Sequence, residues 1–406
     1  MSKRVAIIGA GASGLIAAII AARAGVEVKI YEKNNKIGKK ILATGNGRCN
    51  ITNRSIKTSN YHGLNPKFVN IAIDRFNFQV CKKFFGEIGI EFWEGENGRF
   101  YPASLQSSSV VRQLSYECER QNVEISLNSK VQEIIKEGEK FALFVEGKKE
   151  YADLLLIATG GLAMPSLGAG DSGYHFAKSF GHTIVPVFAS LVQLECKENF
   201  KSISGVKLQA DIKIMQNRDE IAYASGDLLF TNYGVSGSAI LDISRRVNEI
   251  LQNSDEVAIS IDLMRQYSKE QLKNILLKRL KNSNKKSVEL WLDGFINSKL
   301  ALFLSKNLRV KNADELNAKD IINLVYMLKN FRATVVGSKG FKSAEVTAGG
   351  VNTDEVNPKT FESKLEKNLY FSGEVLDIDA DCGGYNLHWA WASGYNAALS
   401  IINRVH

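Results

Sequence analysis

Short runs of consecutive apolar residues alternate with helical patterns in the first part of the chain. Residues 5–8 and 26–31 have the apolar, β-branched content of buried parallel strands, and residues 15–23 between them are strong helix formers. Two further buried strands are predicted near 152–157 and 369–372. This alternation predicts an α/β domain built on a parallel sheet.

The middle of the chain follows other patterns. Residues 66–93 carry apolar side chains at helical spacing, which predicts one helix. Alternating polar and apolar residues predict half-buried antiparallel strands, at 123–127, 131–136, 141–146, 209–215, 221–224, 227–230 and 257–261. The last four predict a small β-barrel or sandwich between 191 and 262. A capping box at Ser268–Gln271 opens a helix, and two helical stretches follow near 287–307 and 317–330.

A glycine-rich turn joins the first strand to the first helix. Gly9 permits the tight turn, Gly11 allows a pyrophosphate to approach the backbone, and Gly14 lets the helix pack close to the strand. The second strand ends at Glu32, whose carboxylate can accept hydrogen bonds from ribose hydroxyls. An acid at this position disfavours a 2′-phosphate. The segment therefore predicts a site for FAD or NAD rather than NADP.

The polar loop that follows, residues 33–53, is placed to wrap a cofactor or to admit a substrate. Lys39, Lys40 and Arg48 can neutralise phosphates. Cys49 follows Arg48, where a cation favours a thiolate, and is therefore a candidate acid or nucleophile. The alternative is that Cys49 is a small buried core residue.

The ends of the later strands supply further candidate ligands. The glycine turn at Thr159–Gly161 and the Gly373–Glu374 pair each follow a predicted strand, at the sheet edge where ligands bind. Gly383 and Gly384 open a last helix, whose N-terminus can face a flavin. A second glycine pattern at 168–173 does not follow a strand, so it predicts the start of a helix and not a separate NAD site.

Composition and charge narrow the class of protein. The chain has 406 residues, enough for two or three domains, and its five cysteines and five histidines show no metal-ligand spacing. No apolar run reaches membrane-spanning length and no signal peptide is evident, which favours a cytoplasmic protein. Residues 265–332 hold fifteen basic and six acidic residues, so this segment alone accounts for the net charge of +9. Such a segment indicates either a polyanionic partner or a solvated helical face.

Several longer motifs together resemble the bacterial HI0933-type flavoproteins. They are the glycine turn 9–14, the loop 39–50, the Val-Thr-Ala-Gly-Gly stretch 346–350, and residues 370–377 and 383–390. The resemblance implies a GR2-type Rossmann-like FAD-binding domain made of residues 1–190 and 345–406. It also implies an inserted β-barrel domain (191–264 and 331–344) and a basic helical subdomain (265–330). Residues 379–382 depart from the family pattern, because Cys382 stands where small or hydroxyl residues are usual.

The motifs and the resemblance together predict the cofactor contacts and a cytoplasmic oxidoreductase that uses NADH or NADPH. The predicted FAD-binding residues are Gly9, Gly11, Ala12, Ser13, Gly14, Glu32, Lys33, Lys40, Thr44, Gly45, Arg48, Cys49, Asn50, Val131, Thr159, Gly160, Gly161, Gly373, Glu374, Asp377, Gly383, Gly384, Tyr385, Asn386 and Leu387. No metal is predicted.

Members of the family that the chain resembles are connected with two substrate classes, uridine in ribosomal RNA and steroids, and the resemblance therefore leaves three functions open. The first is reduction of uridine to dihydrouridine in 23S ribosomal RNA, with Cys49, or else Cys382, as the acid and with RNA held by the basic segment. Trp93, Tyr101 or Tyr385 could then stack on the base, although each is also an ordinary core residue. The second is reduction of a small unsaturated molecule such as a steroid. The third is non-catalytic binding of FAD.

Overall fold

The computed structural model describes residues 3–216 and 219–406. Residues 1–2 of the predicted FAD-binding domain and residues 217–218 of the predicted barrel domain lie outside the described residues. The chain divides into two compact units, of which the first comprises residues 1–188 and 345–406 and the second residues 189–344. The second unit therefore interrupts the first along the chain.

In the first unit, strands and helices alternate along the chain. In the second unit, four consecutive helices lie between the last two strands. The helices are α1 (Ala12–Arg23), α2 (Lys39–Ala43), α3 (Asn70–Arg75), α4 (Phe78–Glu87), α5 (Ser107–Arg120), α6 (Ser172–Ser179), α7 (Ser238–Leu251), α8 (Lys269–Leu280), α9 (Val288–Leu292), α10 (Ser298–Ser305), α11 (Ala318–Lys329) and α12 (Tyr385–Val405). The strands are β1 (Arg4–Ile8), β2 (Glu27–Tyr31), β3 (Thr52–Asn53), β4 (Tyr61–His62), β5 (Phe92–Glu94), β6 (Arg99–Pro102), β7 (Glu124–Ser126), β8 (Val131–Glu137), β9 (Lys140–Val145), β10 (Lys148–Ala152), β11 (Leu154–Ile157), β12 (Ile184–Ser190), β13 (Leu194–Cys196), β14 (Lys207–Gln216), β15 (Asp219–Phe230), β16 (Gly234–Ser236), β17 (Val257–Asp262), β18 (Phe331–Ser338), β19 (Val346–Val351), β20 (Leu369–Phe371) and β21 (Asp379–Ala380).

A five-stranded parallel sheet forms the centre of the first unit. Its strand order is β20-β11-β1-β2-β7, and every neighbouring pair is parallel. All four residues of β11 are buried, as are four of the five in β1, because helices and loops cover both faces of such a sheet. The carboxyl ends of β1, β11 and β20 share one edge, which brings the turns after these strands together.

Helix α12 closes the first unit by packing against α1. Its Gly394 faces the backbone of α1, where an added Cβ would be 2.3 Å from Ser13 O. The two helices therefore cross with their backbones in close contact, which only glycine permits at this point. Trp389 and Trp391 of α12 are fully buried in the same core.

Two predicted elements of the first unit are wrong in detail. The predicted helix 66–93 is broken into a 3₁₀ turn, α3 and α4, because the Asn77 side chain accepts hydrogen bonds from Gln79 N and Val80 N and starts a new helix. The predicted antiparallel strand 123–127 is instead β7, which pairs in parallel with β2 at the edge of the main sheet. Alternation indicates a half-buried strand, but not the direction of its partner.

The second unit contains a closed antiparallel barrel with the strand order β13-β16-β15-β14-β17-β18. The predicted strands 221–224 and 227–230 are parts of the single long strand β15. Ser268 is the N-cap of helix α8 and forms the predicted capping box with Gln271. Barrel residues such as Ile212 and Ile259 share one apolar core with helix residues such as Leu276 and Leu324. The predicted α/β fold with an inserted small barrel is confirmed.

Candidate functional site

The glycine turn between β1 and α1 leaves free space beside its backbone. Gly9 has a φ of +109°, and an added Cβ would be 2.6 Å from Ala158 O, so this position excludes a side chain. At Gly11, an added Cβ would meet no atom within 4 Å. Gly11 is also the N-cap of α1 and supplies no side-chain cap, so the first N–H groups of the helix can bind an anion.

Glu32 organises this turn from the end of β2. Its buried carboxylate accepts a hydrogen bond from Ala10 N (2.9 Å) through Oε2. Its Oε1 accepts from Asn34 N (2.8 Å) and Asn34 Nδ2 (2.6 Å). Each carboxylate oxygen has about two acceptor positions, so Glu32 can still bind a ribose hydroxyl.

The second glycine pattern lies beside the first, as part of the same site. An added Cβ at Gly168 would be 2.2 Å from Asn34 Nδ2, and one at Gly170 would be 3.0 Å from Lys33 Nζ. Gly173 lies in α6, where an added Cβ would be 2.0 Å from Thr159 Oγ1. This segment leads into helix α6, as predicted, and its Gly168 and Gly170 lie against the turn that follows β2.

Turns after three other strands meet around Glu374. Lys40 Nζ donates to both carboxylate oxygens of Glu374, at 2.8 and 3.1 Å, and Thr347 N donates to Oε1 at 3.1 Å. At Gly161 an added Cβ would be 2.5 Å from Thr347 Oγ1 and 2.8 Å from Glu374 Oε1. The polar atoms of Lys40, Gly161 and Glu374, predicted from separate motifs, therefore lie in one place.

The loop before α12 is held rigidly by two asparagines. Asn386 accepts from Ala380 N (2.8 Å) and donates to Ala380 O (2.7 Å), while Asn53 Nδ2 donates to Gly383 O (3.0 Å). Gly384 is the N-cap of α12, again without a side-chain cap. Its added Cβ would be 2.8 Å from Asn50 Oδ1, a buried atom without a hydrogen-bond partner. The Asn386 amide is already hydrogen-bonded to Ala380, and the predicted contact of Asn386 with the cofactor stays a prediction.

The two candidate acids have different surroundings. Cys382 is partly exposed, and Arg99 Nη2 donates to its Sγ at 3.9 Å. Cys49 is completely buried, and this burial raises the pKa of its thiol to about 12, against a smaller opposing effect of the hydrogen bond with Thr44. The expectation of a Cys49 thiolate is wrong, because burial favours the neutral thiol over the anion.

The other predicted residues lie in several loops and strands of the first unit. Arg48 lies over the Tyr101 ring, with 4.9 Å between its Cζ and the ring centroid. Asp377 is buried and accepts a hydrogen bond from Leu64 N at 2.8 Å. Val131 is buried at the start of β8, two residues beyond Ser129, whose N–H donates to Glu32 O at 2.9 Å. The remaining predicted contacts Ala12, Ser13, Gly14, Gly160, Gly373, Tyr385 and Leu387 lie in or next to the turns and helix starts described above, and Gly45 lies in a 3₁₀ turn, Thr44–Gly47.

Two residues near this site escape prediction from the sequence. Thr347 Oγ1 accepts from Leu162 N (2.8 Å) and Ala163 N (2.9 Å), and so shapes the turn after β11. Glu345 keeps an exposed surface, yet desolvation raises the pKa of its carboxyl above the ordinary value, opposed by the positive charges of Lys40 and Arg99. Thr347 belongs to the Val-Thr-Ala-Gly-Gly stretch 346–350 and Glu345 directly precedes it, so this stretch was the available sequence signal.

These residues fit the FAD that the fold implies. Open space beside Gly11 and an uncapped helix N-terminus suit a pyrophosphate. Glu32 suits the adenosine ribose, and the carboxylate of Glu374 suits the ribityl hydroxyls. Asn50 Oδ1, buried without a partner beside the start of α12, is an acceptor that a flavin N–H would satisfy.

The chain shares its full length with characterised relatives. The model of the HI0933-like protein Rossmann domain matches residues 3–400. The chain is 36% identical over 408 residues to the 3-dehydro-bile acid delta(4,6)-reductase of Clostridium scindens, covering 99% of this chain and 100% of that one. It is 37% identical over 410 residues to the ribosomal RNA dihydrouridine synthase of Haemophilus influenzae, covering 97% of each chain.

A third relative is similar over the same length. The Escherichia coli ribosomal RNA dihydrouridine synthase is 33% identical over 410 residues, covering 98% of this chain and 97% of that one. Within residues 3–216 and 219–406, every helix is too short or too polar to cross a bilayer. The fold and the similarity to these relatives agree. The chain belongs to the HI0933-like family and is a Rossmann-type, flavin-dependent oxidoreductase.

Proposed function

We propose that this protein reduces uridine to dihydrouridine in ribosomal RNA, with bound FAD and with NADH or NADPH as the reductant. The observation that carries this proposal is the position of the basic excess. Residues 265–332 contain the whole net charge of the chain, and most of their cations are exposed. A polyanionic substrate explains this concentration, and two full-length relatives act on ribosomal RNA by name.

The first unit holds the redox cofactor. Bound FAD would supply the hydride that a C=C reduction needs. The N-terminus of α1 would bind the pyrophosphate, Glu32 the adenosine ribose, and the Lys40–Glu374 pair the ribityl chain. The N-terminus of α12 would place its free N–H groups toward the pyrimidine edge of the flavin, which favours negative charge there.

The substrate takes up a hydride at C6 and a proton at C5 of the uracil ring, which saturates the bond between them. Cys382 is the proton donor that the surroundings favour, because it is partly exposed whereas Cys49 is enclosed on all sides. A thiol is suited to this role because it is largely protonated at neutral pH. Arg99, which donates to Cys382 Sγ, would then stabilise the thiolate left after proton transfer.

A second candidate is reduction of a small unsaturated molecule such as a steroid enone. The specific observation in its favour is the 36% identity to the bile-acid reductase of Clostridium scindens over the whole of both chains. In that case the basic helices would be a solvated face. Flavin reoxidation by a small enone without RNA, and with little dependence on salt, would indicate this function.

Mass spectrometry of nucleosides from 23S ribosomal RNA tests the first candidate. We expect dihydrouridine to be lost from a strain that lacks this gene, and to return when a plasmid supplies it. Dihydrouridine that is unchanged by the deletion would refute the proposal for the source organism. Screening of enones for flavin reoxidation would then test the second candidate.

A further inference from the structure

The second unit brings two lysine-rich segments together into one surface, which we call the basic ridge. Residues 278–288 contain five cations and residues 305–313 contain three, and neither segment contains an acidic residue. Backbone hydrogen bonds from Val288 N to Lys311 O (2.9 Å) and from Ala313 N to Lys286 O (2.9 Å) join the segments around an antiparallel bridge between Ser287 and Asn312. Charges that are about 25 residues apart in sequence are thus placed side by side.

This pairing brings cations within reach of a common ligand. In the register of the bridge, Lys286 and Lys311 are diagonal neighbours, whose backbones are about 7–8 Å apart in such pairs. Both side chains are exposed. The other exposed cations of the ridge are Lys278, Lys281, Lys285, Lys306 and Arg309.

The ridge is poorly neutralised by its own chain. Glu289, Asp314 and Glu315 border it, and in the part of the chain that the structure describes no salt bridge joins them to its cations. Like charges held together destabilise a fold, whereas a face that serves only solubility mixes both signs. The arrangement is therefore better explained by an external polyanion.

We propose that the basic ridge is the surface that binds the phosphate backbone of the RNA substrate. This inference rests on the proposed function, and it names the contact surface within the basic segment. Amide side chains accompany the cations at Asn282, Asn284 and Asn307, all exposed, and amides bind phosphate, sugar and base edges. None of the exposed large apolar residues of the described chain lies within the ridge, so an RNA fits it better than a membrane surface.

The test compares two holoenzyme variants that lose the same charge. The ridge variant carries Lys285→Gln, Lys286→Gln and Lys311→Gln. The control carries Lys82→Gln, Lys83→Gln and Lys148→Gln, which are exposed lysines of the first unit. Fluorescence anisotropy with a labelled single-stranded RNA of mixed sequence gives the dissociation constant as a function of salt.

Three lost phosphate contacts should reduce the slope of log affinity against log salt by about 2 in the ridge variant. The control should keep the wild-type slope, and both variants should keep their flavin absorbance. An unchanged slope in the ridge variant would overturn the proposal. The proposal would also be overturned if the ridge variant kept its RNA binding but lost binding to phosphatidylserine vesicles.

The cell assay separates this proposal from the proposed function. If the wild-type gene restores dihydrouridine and the ridge variant restores it equally at low expression, the ridge does not bind the substrate and the proposed function stands. If the gene restores no dihydrouridine but the slope changes as expected, the function is wrong and the RNA-binding surface stands.

Discussion

At the residue scale, the surroundings of Cys382, the proposed proton donor, matter most for the proposed reaction. Replacing Cys382 with Ser should lower kcat for substrate reduction by about 10²–10⁴, the usual contribution of a general acid, because a hydroxyl is a much weaker acid. Cys49→Ala should change kcat little, since the Cys49 side chain is closed off from any ligand. Stopped-flow measurement of flavin reoxidation by substrate gives both values.

Flavin content and the rate of flavin reduction by NAD(P)H are the controls for these variants, and both should remain at the wild-type level. A normal kcat for Cys382→Ser together with a large loss for Glu345→Gln would transfer the role to Glu345. That residue lies close enough to Lys40 and Arg99 for both charges to act on its carboxyl.

His388 predicts how the stability of the first unit depends on pH. The imidazole is completely buried, and this burial lowers its pKa to about 3, while Nδ1 lies 2.8 Å from Thr52 Oγ1. The unfolded chain binds a proton near pH 6.5 and the folded chain does not, so stability is complete above about pH 6.5 and falls as the pH drops toward about 3.

Thermal unfolding between pH 7 and pH 4 measures this effect. For one proton the free energy of unfolding falls by about 1.4 kcal/mol per pH unit in this window. His388→Gln should remove that part of the pH dependence, whereas His62→Gln, at a partly exposed histidine, should keep it. An identical pH dependence in wild type and His388→Gln would contradict the assignment.

Several features of individual residues cannot be predicted from the sequence, for a physical reason. Arg48 beside Cys49 suggests a thiolate, but the burial that reverses this effect depends on segments far away in the chain. The Arg99–Cys382 contact joins residues 283 positions apart. By contrast, the tight turn at Gly9, with its φ of +109°, depends on local geometry and was predictable from the motif.

At the element scale, helices α1 and α12 are in close backbone contact, and a substitution at Gly394 tests how much this contact contributes to stability. Gly394→Ala would place a Cβ 2.3 Å from Ser13 O, so one helix must move. We expect a loss of about 1–3 kcal/mol of stability, with weaker FAD retention because α1 also begins at the glycine turn. Differential scanning calorimetry and flavin absorbance measure the two effects.

Gly86→Ala is the matched control for this substitution. Gly86 also lies inside a helix, but its added Cβ would meet no atom within 4 Å. Alanine there should leave the protein unchanged or stabilise it by about 0.5–1 kcal/mol. Equal unfolding temperatures for the two variants would show that the helix contact tolerates a side chain.

The success of the sequence patterns also differs from element to element. Buried strands such as β1 and β11 and the capping box of α8 depend on neighbouring residues, and their prediction was correct. The break at Asn77 was missed because apolar spacing continues across it. The parallel pairing of β7 with β2 was missed because it depends on a partner about 95 residues away in the chain.

At the scale of the whole molecule, the excess charge and the proposed redox site lie in different parts of the chain. The predicted cofactor-binding residues all belong to the first unit, whereas the segment that holds the excess positive charge belongs to the second. Salt should therefore weaken RNA binding without changing the chemical step. KM for an RNA substrate should rise steeply with salt, by a power of about 0.7–0.9 for each phosphate contacted, while kcat stays constant.

Steady-state kinetics over a range of potassium chloride concentrations checks this expectation, with reduction of the bound flavin by NAD(P)H measured in parallel. The ridge variant should show a shallower dependence of KM on salt and the same kcat, because its lost charges act only on binding. A kcat that falls with salt as steeply as kcat/KM would mean that ionic contacts shape the transition state itself. The basic segment would then belong to the catalytic site, and the division of roles between the two units would be wrong.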